Sequence, residues 1–559
     1  MCLRSSFLAL CIGLSTYASA TTNPFRDDSL KIGFISSNIR FTKGKQTTIN
    51  PVNKLEVTAW KGEKLSVQLV VRSDEAISQL KASVGAFKTT SGASLSTEAI
   101  KIGYVNYVMT DEFSEGCGHR KPEDFDSSEV SDPILLAPMA QVAKGTYQPI
   151  WLSILVPVQA KADSYQGVVT VSAGKKYKFN LSLKVLDRVL PAPEKWSYDL
   201  DLWQHPAAVA RVHNLPLWSD EHFEKMRPYY TMLAKAGQKN ITTSIMEEPW
   251  GHQTYDDFPS LIKWVKQSDG KWRYDYTLFD RYVNFVMECG IKERINCYTM
   301  IPWKLSFAYY DEKSQKDTAL VAKPGTAEYN EFWSSMLTDF SRHLKAKGWF
   351  EKTSISMDER PMKDMQAVIQ LLKTVDPNWK IALAGDYHPE IEKDIFDYSI
   401  ASKSVFPDSV LARRKAADMP STYYTCCVEA YPNGFTFSPP AENVWLGWYA
   451  SSKDFTGYLR WAYNSWPKSP MTDSRFTAWP AGDTYQVYPD ANTSIRFEKM
   501  IEGIQDFEKI KVLKAQWEKE KNNVKLKELA SVLSTFRIEA LKDTPAEDMI
   551  AAGKALLNK

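Results

Sequence analysis

Along the first third of the chain, apolar and polar residues alternate in short runs. Leu65, Val67, Leu69 and Val71 form one run, and Phe179, Leu181, Leu183 and Val185 form another. Period-two alternation puts one face of a strand against a core and the other toward solvent. Gly, Ser, Asn and Lys separate the runs, and no long amphipathic helix interrupts them. Residues 21–190 are therefore expected to form an antiparallel β-sandwich. The polar stretch Ser114 to Asp132 exceeds a hairpin's needs and reads as an excursion from it.

Leu190-Pro191-Ala192-Pro193 marks a boundary, because two prolines stiffen a linker and end strand pairing. Beyond it the rhythm becomes strand, loop, helix. Strands are expected at Ser197 to Trp203, Ile241 to Met246, Ile295 to Met300, Ile355 to Asp358, Ile381 to Ala384, Tyr398 to Ile400, Tyr423 to Val428 and Tyr458 to Tyr463. Helices fall between them, as at Asp220 to Ala236, Leu278 to Cys289 and a run from Phe332 to Leu344 closed by Gly348. This pattern over residues 194–498 predicts a (β/α)8 TIM-type barrel. Residues 499–559 read as helices packed on its outside. The fold class is thus multidomain: β, then α/β, with C-terminal helices.

Composition narrows the options. A chain of 559 residues exceeds one core's usual limit, which fits two domains. Its 69 basic residues nearly balance 67 acidic ones, which speaks against a nucleic-acid partner. Residues 1–20 read as a secretory signal, with Arg4, the apolar run Phe7 to Leu14 and the cleavage site Ala18-Ser19-Ala20. Leu10 is too bulky to precede a lipidated Cys11, and no later stretch reaches the roughly 18 apolar residues of a membrane helix. A periplasmic or extracellular location is expected. Cys117, Cys289, Cys297, Cys426 and Cys427 remain after cleavage. Their odd number leaves at least one unpaired, and mostly free thiols are expected.

The fourth barrel strand carries the chemistry. Ile355 and Met357 face the covering helices, Asp358 points inward at the C-terminal mouth, and Glu359 follows on the rim. Pro361 suits the first turn of the next helix. An Asp-Glu pair also suits an ordinary helix start, where the dipole accounts for it. The other strand ends change that balance: Trp203-Gln204-His205, Glu247-Glu248-Pro249-Trp250, Pro302-Trp303, Asp386-Tyr387-His388, Glu429 and Tyr463-Asn464-Ser465-Trp466. Aromatic faces beside carboxylates and amides suit a sugar. No metal-binding spacing, nucleophile elbow or Gly-rich phosphate loop occurs, so neither metal nor cofactor is expected.

Three readings stand at this point. A conventional retaining glycosidase would pair Glu359 with Glu429 at about 5–5.5 Å. A substrate-assisted enzyme would use the sugar's own 2-acetamido oxygen, with Asp358 orienting that group and Glu359 protonating the leaving oxygen. Charges about 6 Å apart at an effective dielectric near 20 repel by roughly 2–3 kcal/mol, or about two pKa units. Ionised Asp358 would then keep Glu359 protonated, provided Arg360 turns away. A non-catalytic glycan-binding protein is the third reading.

Five segments, in their order and spacing, resemble glycoside hydrolase family 123. They are Asp201-Leu202-Trp203-Gln204-His205-Pro206, Met357-Asp358-Glu359-Arg360-Pro361, Arg460-Trp461-Ala462-Tyr463-Asn464-Ser465-Trp466-Pro467, Pro480-Ala481-Gly482-Asp483, and Arg496 with Glu502-Gly503-Ile504-Gln505-Asp506-Phe507-Glu508. The resemblance implies an exo-acting β-N-acetylgalactosaminidase that works by substrate-assisted retention on glycosphingolipid-type glycans. It makes Asp358 the acetamido-orienting residue and Glu359 the general acid/base. The expected sugar-binding set is Trp203, Gln204, His205, Trp250, Trp303, Tyr387, His388, Trp461, Tyr463, Asn464, Trp466, Asp483 and Arg496. Gln505 departs from the family's frequent acidic residue, at a position expected away from catalysis.

Overall fold

The computed structural model describes residues 29–111, 117, 127–477 and 479–559. The expected signal segment lies outside the described residues, as does most of the excursion from Ser114. Two sheets enclose the N-terminal core. One runs in the order Leu30–Ile35, Lys64–Ser73, Tyr147–Leu155, Ile100–Thr110, Ser128–Leu135 and Thr493–Ser494. The other is centred on Lys54–Lys61, Lys175–Val189, Ser164–Ala173 and Ile77–Val84. The alternating positions Leu69, Val71, Phe179, Leu181 and Leu183 meet in the core between them.

Two details differ from the sequence reading. Lys54–Lys61 pairs parallel, not antiparallel, with Lys175–Val189, because at Gly62 the chain crosses directly into the opposite sheet. The strand Ser128–Leu135 also starts inside the expected excursion.

The barrel's eight strands are Asp199–Leu202, Asn240–Ser244, Arg294–Tyr298, Thr353–Met357, Lys380–Gly385, Asp397–Ala401, Ser421–Tyr424 and Gly457–Arg460. Every pairing between them is parallel. The ladder stops between the first and second strands, and side chains bridge that seam. Gln204 Oε1 accepts from Thr242 N at 2.9 Å, and Thr242 Oγ1 accepts from Gln204 N at 3.2 Å. Gln238 Oε1 accepts from Leu202 N at 2.9 Å. Gly348 closes the long helix Ala327–Lys347 at φ 69°, a left-handed conformation that glycine adopts without Cβ strain.

The loops after the second and third strands form a separate four-stranded sheet: Lys263–Lys266, Trp272–Asp275, Ser306–Asp311 and Lys316–Val321. The sequence pattern predicts no strand in these segments.

The helix Ile495–Lys519 docks on both the barrel and the sandwich. It packs against the barrel helix Pro440–Ser452. Toward the sandwich, Lys509 meets Glu63 in a buried ion pair at 2.5 Å. Gln505 makes two bonds with the backbone of Lys64, accepting from its N at 2.7 Å and donating to its O at 2.8 Å. An ionised carboxylate could make only the first of these, which accounts for an amide at this position.

Most of the described cysteines are free, as expected, and two are bridged. Cys117 and Cys427 form a disulfide across 310 residues, joining the sandwich's excursion to the loop after the seventh barrel strand. Cys289, Cys297 and Cys426 are free thiols. An odd count permits one bridge as readily as none, and spacing alone could not choose the partners.

Candidate active site

The strand Thr353–Met357 is buried along its whole length. Ile355 and Met357 enter the apolar layer beneath the helices, while Ser354 and Ser356 line the barrel interior. Asp358 and Glu359 follow where the strand ends, before the helix Met362–Val375. Each carboxylate has its own donor. Trp303 Nε1 donates to Asp358 Oδ2 at 2.8 Å, and the Tyr424 hydroxyl donates to Glu359 Oε1. Gly385 ends the adjacent fifth strand, and a Cβ there would come 3.3 Å from Glu359 Cγ. The missing side chain is the space in which Glu359 lies.

The Asp358 carboxyl is raised to about 6, chiefly because burial disfavours its charge. The Trp303 hydrogen bond and the Arg360 charge pull it back, and Glu359 pushes it up. Arg360 does not turn away, as its guanidinium lies 4.8 Å from the Trp303 ring centroid. Stacking on an exposed indole gives the cation a surface that solvent alone would not.

Below the acid pair lies an aromatic floor. Trp203 and Trp250 stack at 5.1 Å, and Tyr298 lies 4.6 Å from Trp203. Tyr424 and Phe258 complete the buried cluster, with Trp461 packed against it. Trp461 Nε1 donates to Asp483 Oδ2 at 3.1 Å, and Asp483 is held in turn by Arg460 at 2.6 Å. Trp303, in the loop after the third strand, is 47% exposed. Tyr387 and His388 lie half-buried after the fifth strand. There Tyr387 packs on Phe406, and the His388 N–H reaches the Tyr398 hydroxyl at 2.9 Å.

Six of the expected sugar-binding residues are buried and engaged in holding the fold. Gln204 stitches the barrel seam. Asn464 exchanges two bonds with the backbone of His205, both at 2.9 Å. The His205 ring stacks on Phe258 and bonds Ser465 Oγ at 2.7 Å, and burial holds its pKa down at about 3. Tyr463 donates to Tyr229 O at 3.0 Å, and Trp466 to Val487 O at 2.7 Å. Arg496 pairs with Asp132 of the sandwich at 2.9 Å and donates to three backbone carbonyls. Asp483 is equally buried and acts on the mouth through Trp461. Polar strand-end residues satisfy backbone groups where the barrel twists away from its own ladder, so their polarity alone does not aim them at a ligand.

Tyr424, Tyr298 and Gly385 were missed. The apolar pattern predicts a seventh strand running to Val428, with Glu429 at its end. It ends at Tyr424. Glu429 sits in the following loop, accepting from Ser402 Oγ at 2.6 Å and from Cys426 N at 2.9 Å.

A parallel barrel with an acid pair above an aromatic, partly open mouth defines a carbohydrate-active barrel enzyme. The family description "Glycoside hydrolase 123, catalytic domain" matches residues 203–513, and "Glycoside hydrolase 123 N-terminal domain" matches residues 34–173. The chain belongs to glycoside hydrolase family 123. It is similar to a family 123 glycoside hydrolase from Clostridium perfringens, solved to detail glycolipid glycan hydrolysis. The two are 26% identical over 95% of this chain and 97% of that one, with a TM-score of 0.85. A family 39 glycoside hydrolase from Bacteroides cellulosilyticus WH2 matches at 12% identity over 76% and 80% of the two chains, with a TM-score of 0.33. That likeness is too distant to bear on this site. No curated protein matches.

Proposed function

We propose that this glycoside hydrolase is an exo-acting, retaining β-N-acetylgalactosaminidase that removes terminal β-GalNAc from glycolipid-type glycans. One observation carries the mechanism: the two adjacent carboxylates have separate donors on separate strand ends, so each is oriented independently for its own task. Glu359 protonates the glycosidic oxygen as the C1–O bond breaks. The substrate's acetamido oxygen attacks C1 to form an oxazolinium, whose N–H is held by ionised Asp358. Glu359 then takes a proton from water, which opens the ring at C1 with net retention.

Glu429 suits the conventional nucleophile less well, because both of its oxygens already accept bonds from the neighbouring loops. The glycolipid substrate of the Clostridium relative supports the substrate class.

The test is a panel of aryl β-glycosides of GalNAc, GlcNAc and galactose, with release of the aryl group measured. The reading requires GalNAc to be cleaved fastest and the galactoside to be nearly inert. It also requires Asp358→Asn and Glu359→Gln each to lower kcat by about 10²-fold or more. Brisk cleavage of the galactoside would overturn substrate assistance, and full activity in either variant would remove that residue from its role.

A further inference from the structure

Trp303 has the surface exposure of a sugar-stacking platform, but its contacts describe a different part. Its backbone N donates to Pro249 O at 3.0 Å, tying the loop after the third strand to the loop after the second. Its Cβ lies 3.1 Å from where a Gly251 side chain would begin, so Gly251 leaves it room to settle. Arg360 covers the ring at 4.8 Å from its centroid. The indole's one polar atom donates to Asp358 Oδ2 at 2.8 Å. Backbone, Cβ, ring face and N–H are all engaged within the protein.

We propose that Trp303 is a positioning residue for Asp358, locked in place by Arg360, and that it fixes one carboxylate oxygen so that the other meets the substrate's acetamido N–H. The assignment rests on the mechanism proposed above. A charge-assisted hydrogen bond from a rigid ring sets both the angle and the ionisation of its acceptor. The charged and titratable groups around Asp358 are Glu359 and Arg360 on its own strand end and Tyr298 on the third strand. Asp201 and Asp397 lie deeper, where they act on Tyr298. Of these, Arg360 shares with the indole N–H the effect of favouring the ionised carboxylate, because both contacts lower its affinity for a proton. Losing either therefore moves Asp358's ionisation to higher pH.

Trp303→Phe separates positioning from stacking, because it keeps the aromatic face and deletes only the donor. The expected result on aryl β-GalNAc is a kcat lower by about 10-fold or more, little change in KM, and an acid limb of kcat/KM moved up by about one pH unit. Arg360→Gln moves the same limb in the same direction. As a readout independent of turnover, the pH dependence of unfolding that disappears in Asp358→Asn should shift upward in Trp303→Phe. A raised KM with kcat and both pH profiles unmoved would make Trp303 a stacking surface and overturn the proposal. Unchanged kinetics with an unmoved unfolding profile would overturn it equally. Full activity in Asp358→Asn would instead strike the underlying mechanism, and that result is distinct from either of these.

Discussion

Tyr424 ends the seventh barrel strand and donates its hydroxyl hydrogen to Glu359 Oε1, across the mouth from the fourth strand. The phenol is itself mostly buried, and burial together with the neighbouring Glu359 charge raises its pKa far above the ordinary range. It remains a neutral donor at any working pH.

Tyr424→Phe should therefore lower kcat on aryl β-GalNAc by about 10-fold, with KM changed far less, since the ring and its packing are kept. Steady-state kinetics check this. An unchanged kcat would mean that Glu359 finds its orientation without the phenol.

Gly385→Ala places a methyl 3.3 Å from Glu359 Cγ. The backbone accepts alanine here without a left-handed requirement, so stability should hold while the acid is pushed aside. A loss of about 10-fold or more in kcat is expected with a melting temperature near wild type. A matching loss of stability would instead mark Gly385 as a folding residue.

Asp358 should cost the protein stability. Burial raises its pKa from 3.8 to about 6, so the folded state holds the proton more tightly than the unfolded chain does. This contribution is fully present below the unfolded value and is lost as pH rises through about 6. Asp358→Asn, which keeps an acceptor for Trp303, should match wild type at low pH. Above the folded pKa it should be more stable by about 1–3 kcal/mol, with water at the open mouth favouring the lower figure. Denaturant unfolding at both ends of the pH range measures the difference.

Removing the Cys117–Cys427 bridge, which spans 310 residues, should lower stability. Cys117→Ser is expected to cost about 2–5 kcal/mol, seen as a lower melting temperature that reducing agent does not change further.

The barrel was readable because its two faces separate chemically. Ile355 and Met357 alternate with serines, and the structure buries the first pair under helices and the second inside the barrel. The acid pair was readable for the same reason, since the alternation fixed which way the strand end pointed. The mouth's other polar residues were harder. Gln204, Asn464 and Arg496 are the kinds of side chain that bind sugars, but each fills a backbone need that exists only once the barrel has twisted and nearly closed. Tyr424 was hidden by an overlong seventh strand, because Thr425, Cys426, Cys427 and Val428 continue a strand-prone run after the hydrogen-bonded ladder has stopped. The rise at Asp358 was not legible, because burial is its first cause and the sequence does not show how deep a residue sits.

The link between Cys117 and Cys427 turns the intervening chain into a closed covalent ring. Seven of the eight barrel strands and the Leu190–Pro193 linker lie within it. A single protease nick anywhere along that ring opens it without releasing a fragment. On a denaturing gel, the nicked protein would migrate as two pieces only after thiol treatment. The hydrolase would thus come through a first cut within the ring in one piece.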